Sequence, residues 1–74
     1  MDEGAIRDVL GGLALPMPGR PGWVYVDVYA LLDAAPRADL AAVAAWVESH
    51  HGKLVRGTPR VSLFVLPAAA LKAP

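Results

Sequence analysis

Cysteine is absent from this chain, which excludes a disulfide framework and a thiolate metal site and fits a reducing compartment. No stretch approaches the ~18–20 continuous apolar residues that span a bilayer. The first residues, MDEGAIRD, are acidic where a secretory signal is basic, so a soluble cytoplasmic protein is expected. Acidic side chains stop altogether after Glu48. Catalytic constellations are missing as well. Asp27 and Asp33 stand six apart, on different faces of any helix, and no nucleophile or partner base accompanies them. His50 and His51 project about 100° apart on a helix, and the chain has no other histidine, so a metal site is not expected. Neither an enzyme nor a cofactor protein follows from such a sequence, and no small-molecule substrate is implied.

Length is scarce too. Seventy-four residues make a single domain, and a chain of this size buries only about 60% of its unfolded surface. Dense packing or a partner must supply the rest. What is plentiful is apolar surface: 55% of residues are hydrophobic, against roughly 45–50% in typical soluble domains even with glycine included. Part of the excess is alanine. The remainder favours a covered patch, hence a dimer or a docked protein partner. Net charge is zero but uneven. Residues 1–36 carry Asp2, Glu3, Asp8, Asp27 and Asp33 against Arg7 and Arg20, whereas residues 37–74 carry Arg37, Lys53, Arg56, Arg60 and Lys72 against Asp39 and Glu48. The second half therefore offers a mildly basic face.

Periodicity orders the chain. Ile6, Val9, Leu10 and Leu13 form one helical stripe over residues 3–14, which Gly11 and Gly12 should shorten or fray. LPMPGRPG, residues 15–22, reads as a stiff connecting loop; its basic turn can touch phosphate or be plain connection. Trp23 to Val26 is a β-branched and aromatic strand. Asp27 then stands as an N-cap before Val28, Leu31, Leu32 and Ala35 at helical spacing, with Pro36 ending the helix. A rival reading continues the strand through Tyr29, because Val24, Val26 and Val28 alternate with Trp23, Tyr25 and Asp27. A longer helix spans roughly residues 37–50, with Leu40, Val43, Ala44 and Val47 inward. Gly52 suits the left-handed position after it, with His50 and His51 near its negative end. Lys53–Arg56 and Val61–Leu66 form a hairpin turned by Gly57-Thr58-Pro59. The domain is expected to occupy residues 1–67, with residues 68–74 a tail of ragged helix or disorder.

The resulting order of α-β-α-α-β-β, an α+β domain of three helices with a carboxy-terminal β-hairpin wing, resembles the small winged-helix (winged helix-turn-helix) fold. That resemblance implies macromolecular binding, to DNA in many members and to protein in others. Gly22–Val26 with Ala30–Leu32 is also similar to the small amino-terminal lobe of tRNA 2′-phosphotransferases, but without that family's catalytic second lobe no activity follows. Should the strand run through Tyr29, the fold becomes a βαββ arrangement and the winged-helix resemblance lapses.

Two binding surfaces follow. Ala38, Ala42, Ala45, Trp46 and Ser49 on the long helix can form a flat protein-docking or homodimer face with an aromatic anchor, unless Trp46 packs beneath the wing against Phe64 or Leu54. The alternative is nucleic acid, DNA or RNA, held through phosphates by Arg37, Lys53, Arg56 and Arg60; equally, such wing cations guard an edge strand against aggregation. Base reading by the long helix itself is not expected, since its exposed positions are alanines and its charges are Asp39 and Glu48.

Overall fold

The computed structural model describes residues 1–57 and 61–72. Three α-helices pack on one face of a four-stranded antiparallel sheet, and among the described residues no helix is long and apolar enough to cross a membrane.

Helix α1, Glu3–Leu13, starts where the Asp2 carboxylate accepts the Ala5 N–H at 2.8 Å. This satisfies one of the free amide donors of the first turn. The helix neither shortens nor frays at Gly11 and Gly12. Both face solvent, and buried Leu10 and half-buried Leu13 hold the last turn on the core side. Packing there outweighs the roughly 1 kcal/mol per glycine of lost propensity.

The stretch read as a plain loop is instead the arm of a hairpin. Leu15–Pro16 forms β1, pairing with β2, Trp23–Asp27, in the register Leu15↔Tyr25 and Pro16↔Val24. Proline is tolerated because β1 lies at the sheet edge. Between them Met17 N–H donates to the Trp23 carbonyl at 3.0 Å, and Gly19 (φ 73°) and Gly22 (φ 82°) take left-handed turns. Arg20 folds back so that its guanidinium sits 3.5 Å from the centre of the Trp23 ring, a cation–π contact that ties the turn to the strand.

Strand β2 stops at Asp27, which ends the rival reading. The Asp27 carboxylate accepts the Tyr29 N–H at 2.8 Å and opens α2, Val28–Ala34. Helix α3 runs from Leu40 to Ser49, three residues shorter at its start than the periodicity suggests. Ala38 N–H donates to the Ala35 carbonyl in a turn, and Asp39 caps α3 by accepting the Ala42 N–H at 3.2 Å. Arg37 and Ala38 therefore belong to the turn.

The end of α3 departs from expectation in an instructive way. His51 N–H donates to the Glu48 carbonyl and Gly52 N–H to the Val47 carbonyl, the paired bonds of a Schellman stop. The left-handed residue in that motif is His51, at φ 70°, and not Gly52. Gly52 answers a different demand. A Cβ there would collide with the Val65 carbonyl oxygen, lie 2.7 Å from Val47 Cγ1 and 2.8 Å from Leu66 Cβ.

Strand β3, Lys53–Arg56, and β4, Ser62–Pro67, then complete the sheet in the order β1-β2-β4-β3. Gly57 N–H donates to the Val61 carbonyl at 2.8 Å across the hairpin end; the expected turn residues Thr58 and Pro59, and Arg60, lie outside the described residues. The segment after β4 is a 3₁₀ turn, Ala68–Leu71, seated against α1, with Arg7 Nε donating to the Ala70 carbonyl at 3.5 Å. The core joins Ile6 and Leu10 of α1, Leu31 of α2, Val43, Trp46 and Val47 of α3, and Val26, Phe64 and Leu66 of the sheet.

Adjacent substitutions at the end of α3 should therefore act in opposite directions. Gly52→Ala forces Cβ into backbone and should destabilise by about 2–3 kcal/mol. His51→Gly relieves a left-handed side-chain residue and, after glycine's extra chain entropy, should stabilise by about 0.5–1 kcal/mol. Thermal unfolding followed by circular dichroism reads both, at about 4–8 °C per kcal/mol for a domain of this size.

Candidate docking site

The alanine face of α3 does not hold an exposed aromatic anchor. Trp46 is 4% exposed, three residues after buried Val43 and beside buried Val47 on the core side of the helix. Nor does it lie under the wing alone. It faces α1, with the Arg7 guanidinium 5.8 Å from its ring centre and the His50 ring stacked on it at 4.0 Å. His50 Nδ1 lies 2.8 Å from the Trp46 carbonyl oxygen, and Ser49 Oγ donates to that same oxygen at 2.7 Å. The indole Nε1 is buried and meets no acceptor among the described residues. Ala42, Ala45 and Ser49 do come together with Trp46. They line a shallow depression against Met1, Asp2, Glu3 and Ile6 at the start of α1. Ala38 is apart from them, in the turn with Ala35, Pro36 and Arg37.

The basic residues are likewise divided. Lys53 pairs with Val65 and Arg56 with Ser62. Side chains of a strand alternate between faces, so residues three apart project to opposite sides. Leu54 and Phe64 belong to the core side, which places Arg56 on the helix side of the sheet and Lys53 on the outer side. Arg37 is exposed in the α2–α3 turn, and Arg60 lies outside the described residues. No single basic patch forms from Arg37, Lys53 and Arg56. The exposed face of α3 presents Ala41, Ala45, Glu48 and Ser49, and the chain contains neither asparagine nor glutamine, the side chains that read adenine.

A different surface emerges from the strand registers. On the outer side of the sheet, Leu15, Tyr25, Val65 and Lys53 form one row across all four strands. Trp23 and Pro67 lie in the row on one side of it, and Asp27, Leu63 and Val55 in the row on the other. Leu15 is 53% and Val55 36% exposed, whereas Val65 at the centre is 4% exposed yet stands outside the helix-side core. An antiparallel sheet with one solvated face normally alternates apolar and polar residues. Here both faces are largely apolar; the charged strand residues are Lys53 and Asp27 on the outer face, where the Arg20 guanidinium also rests on Trp23, and Arg56 on the helix side. The signal was present in the sequence, as the uninterrupted run Leu63-Phe64-Val65-Leu66, which marks a strand with apolar side chains on both sides.

No protein-family model, no curated protein and no solved structure matches this chain.

Burial of Trp46 gives a sharp pair of variants. Trp46→Asp places an unpaired charge in the core and should leave the domain unfolded, a cost of several kcal/mol. Trp46→Phe removes about 40 Å³ of a ring that stacks on His50 and faces Arg7, and should leave the domain folded with a loss of about 1–2 kcal/mol. Urea unfolding separates the two variants, a cooperative transition for Phe and none for Asp.

Proposed function

We propose that this chain is a non-enzymatic winged-helix module that docks another polypeptide through the outer face of its sheet, a second copy of itself being one such partner. The observation that carries this reading is the sheet with two apolar faces. The helices cover one of them, and the other keeps Leu15, Trp23, Tyr25, Leu63 and Val55 only partly buried or exposed.

Magnitudes decide what kind of association to expect. Strands of 2, 5, 4 and 6 residues, about 4.8 Å apart with a rise of about 3.3 Å per residue, give a face of about 270 Å². A stable complex buries about 800 Å² per partner, so this face supports a weak, reversible contact and not an obligate dimer. Lys53 and Asp27 at its margin supply polar groups where solvent remains, as at the rim of ordinary interfaces. The winged-helix order of elements is shared with nucleic-acid-binding modules, but the divided cations and the alanine surface of α3 lend that use no support.

Sedimentation equilibrium from about 10 µM to about 1 mM tests the proposal, a range suited to an interface below standard size. The parent chain should show a concentration-dependent dimer, and Leu15→Lys with Val55→Lys should be monomeric throughout. Both positions are exposed, so the doubly substituted chain should unfold within a few degrees of the parent, by about 0.5 kcal/mol or less per site. A parent chain that stays monomeric, or a variant that dimerises equally, overturns self-association through this face.

A further inference from the structure

A second site lies on the opposite side of the sheet, in the cleft where α2, α3 and the wing meet. Its floor is apolar: Val28, Leu32, Leu40, Ala44, Leu54 and Phe64 enclose about 340 Å³. Three residues able to donate hydrogen bonds also line the cleft, Arg56, Tyr29 and Ser62. Arg56 and Ser62 are direct cross-strand partners, which holds their Cβ atoms about 5 Å apart. Tyr29, in the first turn of α2, is 55% exposed. No carboxylate lines the cleft among the described residues.

We infer that this cleft binds the carboxy-terminal end of a polypeptide whose last residue is apolar, with that side chain on the Leu32–Leu40–Leu54 floor and the terminal carboxylate on Arg56, Tyr29 and Ser62. Apolar walls with a few convergent polar groups are the ordinary composition of a ligand pocket. Among the described residues the charge is complementary, one cation lining the cleft to one carboxylate. A row of phosphates would meet an apolar floor with Arg56 as the one described cation lining it. The volume of about 340 Å³ stands near the lower end of the roughly 300–1,000 Å³ range of ligand pockets, enough for one side chain and the end of a backbone. This inference is independent of the outer-face docking proposal, because the two sites occupy opposite sides of the sheet.

The test is a ¹H–¹⁵N correlation titration of the whole chain with the acetylated peptide Gly-Ser-Gly-Ser-Gly-Leu, as free acid and as carboxy-terminal amide. The backbone amides of Leu32, Leu40, Leu54, Arg56 and Ser62 should shift and saturate in the millimolar range, as ligand efficiency dictates for so small a contact. The free acid should bind about three- to fivefold more tightly than the amide, the scale of an exposed ion pair. Arg56→Gln should remove that preference, and Arg56→Lys should keep part of it. The Leu15→Lys, Val55→Lys chain should bind as the parent does, so failure of one site leaves the other standing. Equal binding of acid and amide by the parent chain overturns the inference. So do shifts that fall outside the cleft, or a short DNA or RNA strand that moves these signals where the peptide does not.

Discussion

The structure depends on one close approach, that of the Gly52 backbone to β4. Where α3 ends, the chain must reverse and enter the sheet beside a strand that already carries the core residues Phe64 and Leu66. There is no room between them for a single methyl group: the Val65 carbonyl, Val47 and Leu66 occupy the space a Cβ would need. The Schellman bonds from His51 and Gly52 hold the chain at that point. The left-handed turn falls one residue earlier, on His51, because the glycine is committed to contact rather than to dihedral freedom. A strained residue beside a crowded one is sustained by the surrounding packing, which over-determines the backbone there.

Local chemistry made most of the fold legible. Asp27 before a stripe of Val28, Leu31 and Leu32, and Pro36 after it, mark helix boundaries by mechanisms that act within a few residues. Tertiary effects were less legible. Alanine propensity around Arg37 and Ala38 extended α3 on paper, whereas Asp39 wins the cap because its carboxylate reaches the Ala42 N–H. The glycines of α1 stay helical because Leu10 and Leu13 pack around them. Trp46 was ambiguous for a geometric reason. Spaced i+3 from Val43, it extends the buried stripe, but only the position of α1 across α3 turns that flank of the helix inward.

The candidate surfaces were the least legible, since each requires register. Strand periodicity says that Lys53 and Arg56 part company, but only if both residues are in a strand with no bulge between them. Pairing with Val65 and Ser62 without interruption settles that. The same register gathers Leu15, Tyr25, Val65 and Lys53 from four separate strands into one row, a grouping no linear motif encodes. Sequence pointed to an apolar excess for so short a chain and anchored a docking face on Trp46, whose ring is buried while Ala45 and Ser49 beside it stay exposed.

Both proposed sites converge on strand β3, and this ties them to Gly52. Lys53 and Val55 belong to the outer face, Leu54 and Arg56 to the cleft. A slip of one residue would exchange the two sets, carrying Arg56 to the docking face and Lys53 into the apolar side of the sheet. Edge strands are prone to such slippage because only one neighbour holds them, and β3 has β4 alone. What fixes it is the crowded junction immediately before Lys53, where the chain has one way through. A packing constraint at Gly52 thus sets the charge and polarity of two surfaces at once, and both proposed faces follow from how tightly the third helix is joined to the β3–β4 hairpin.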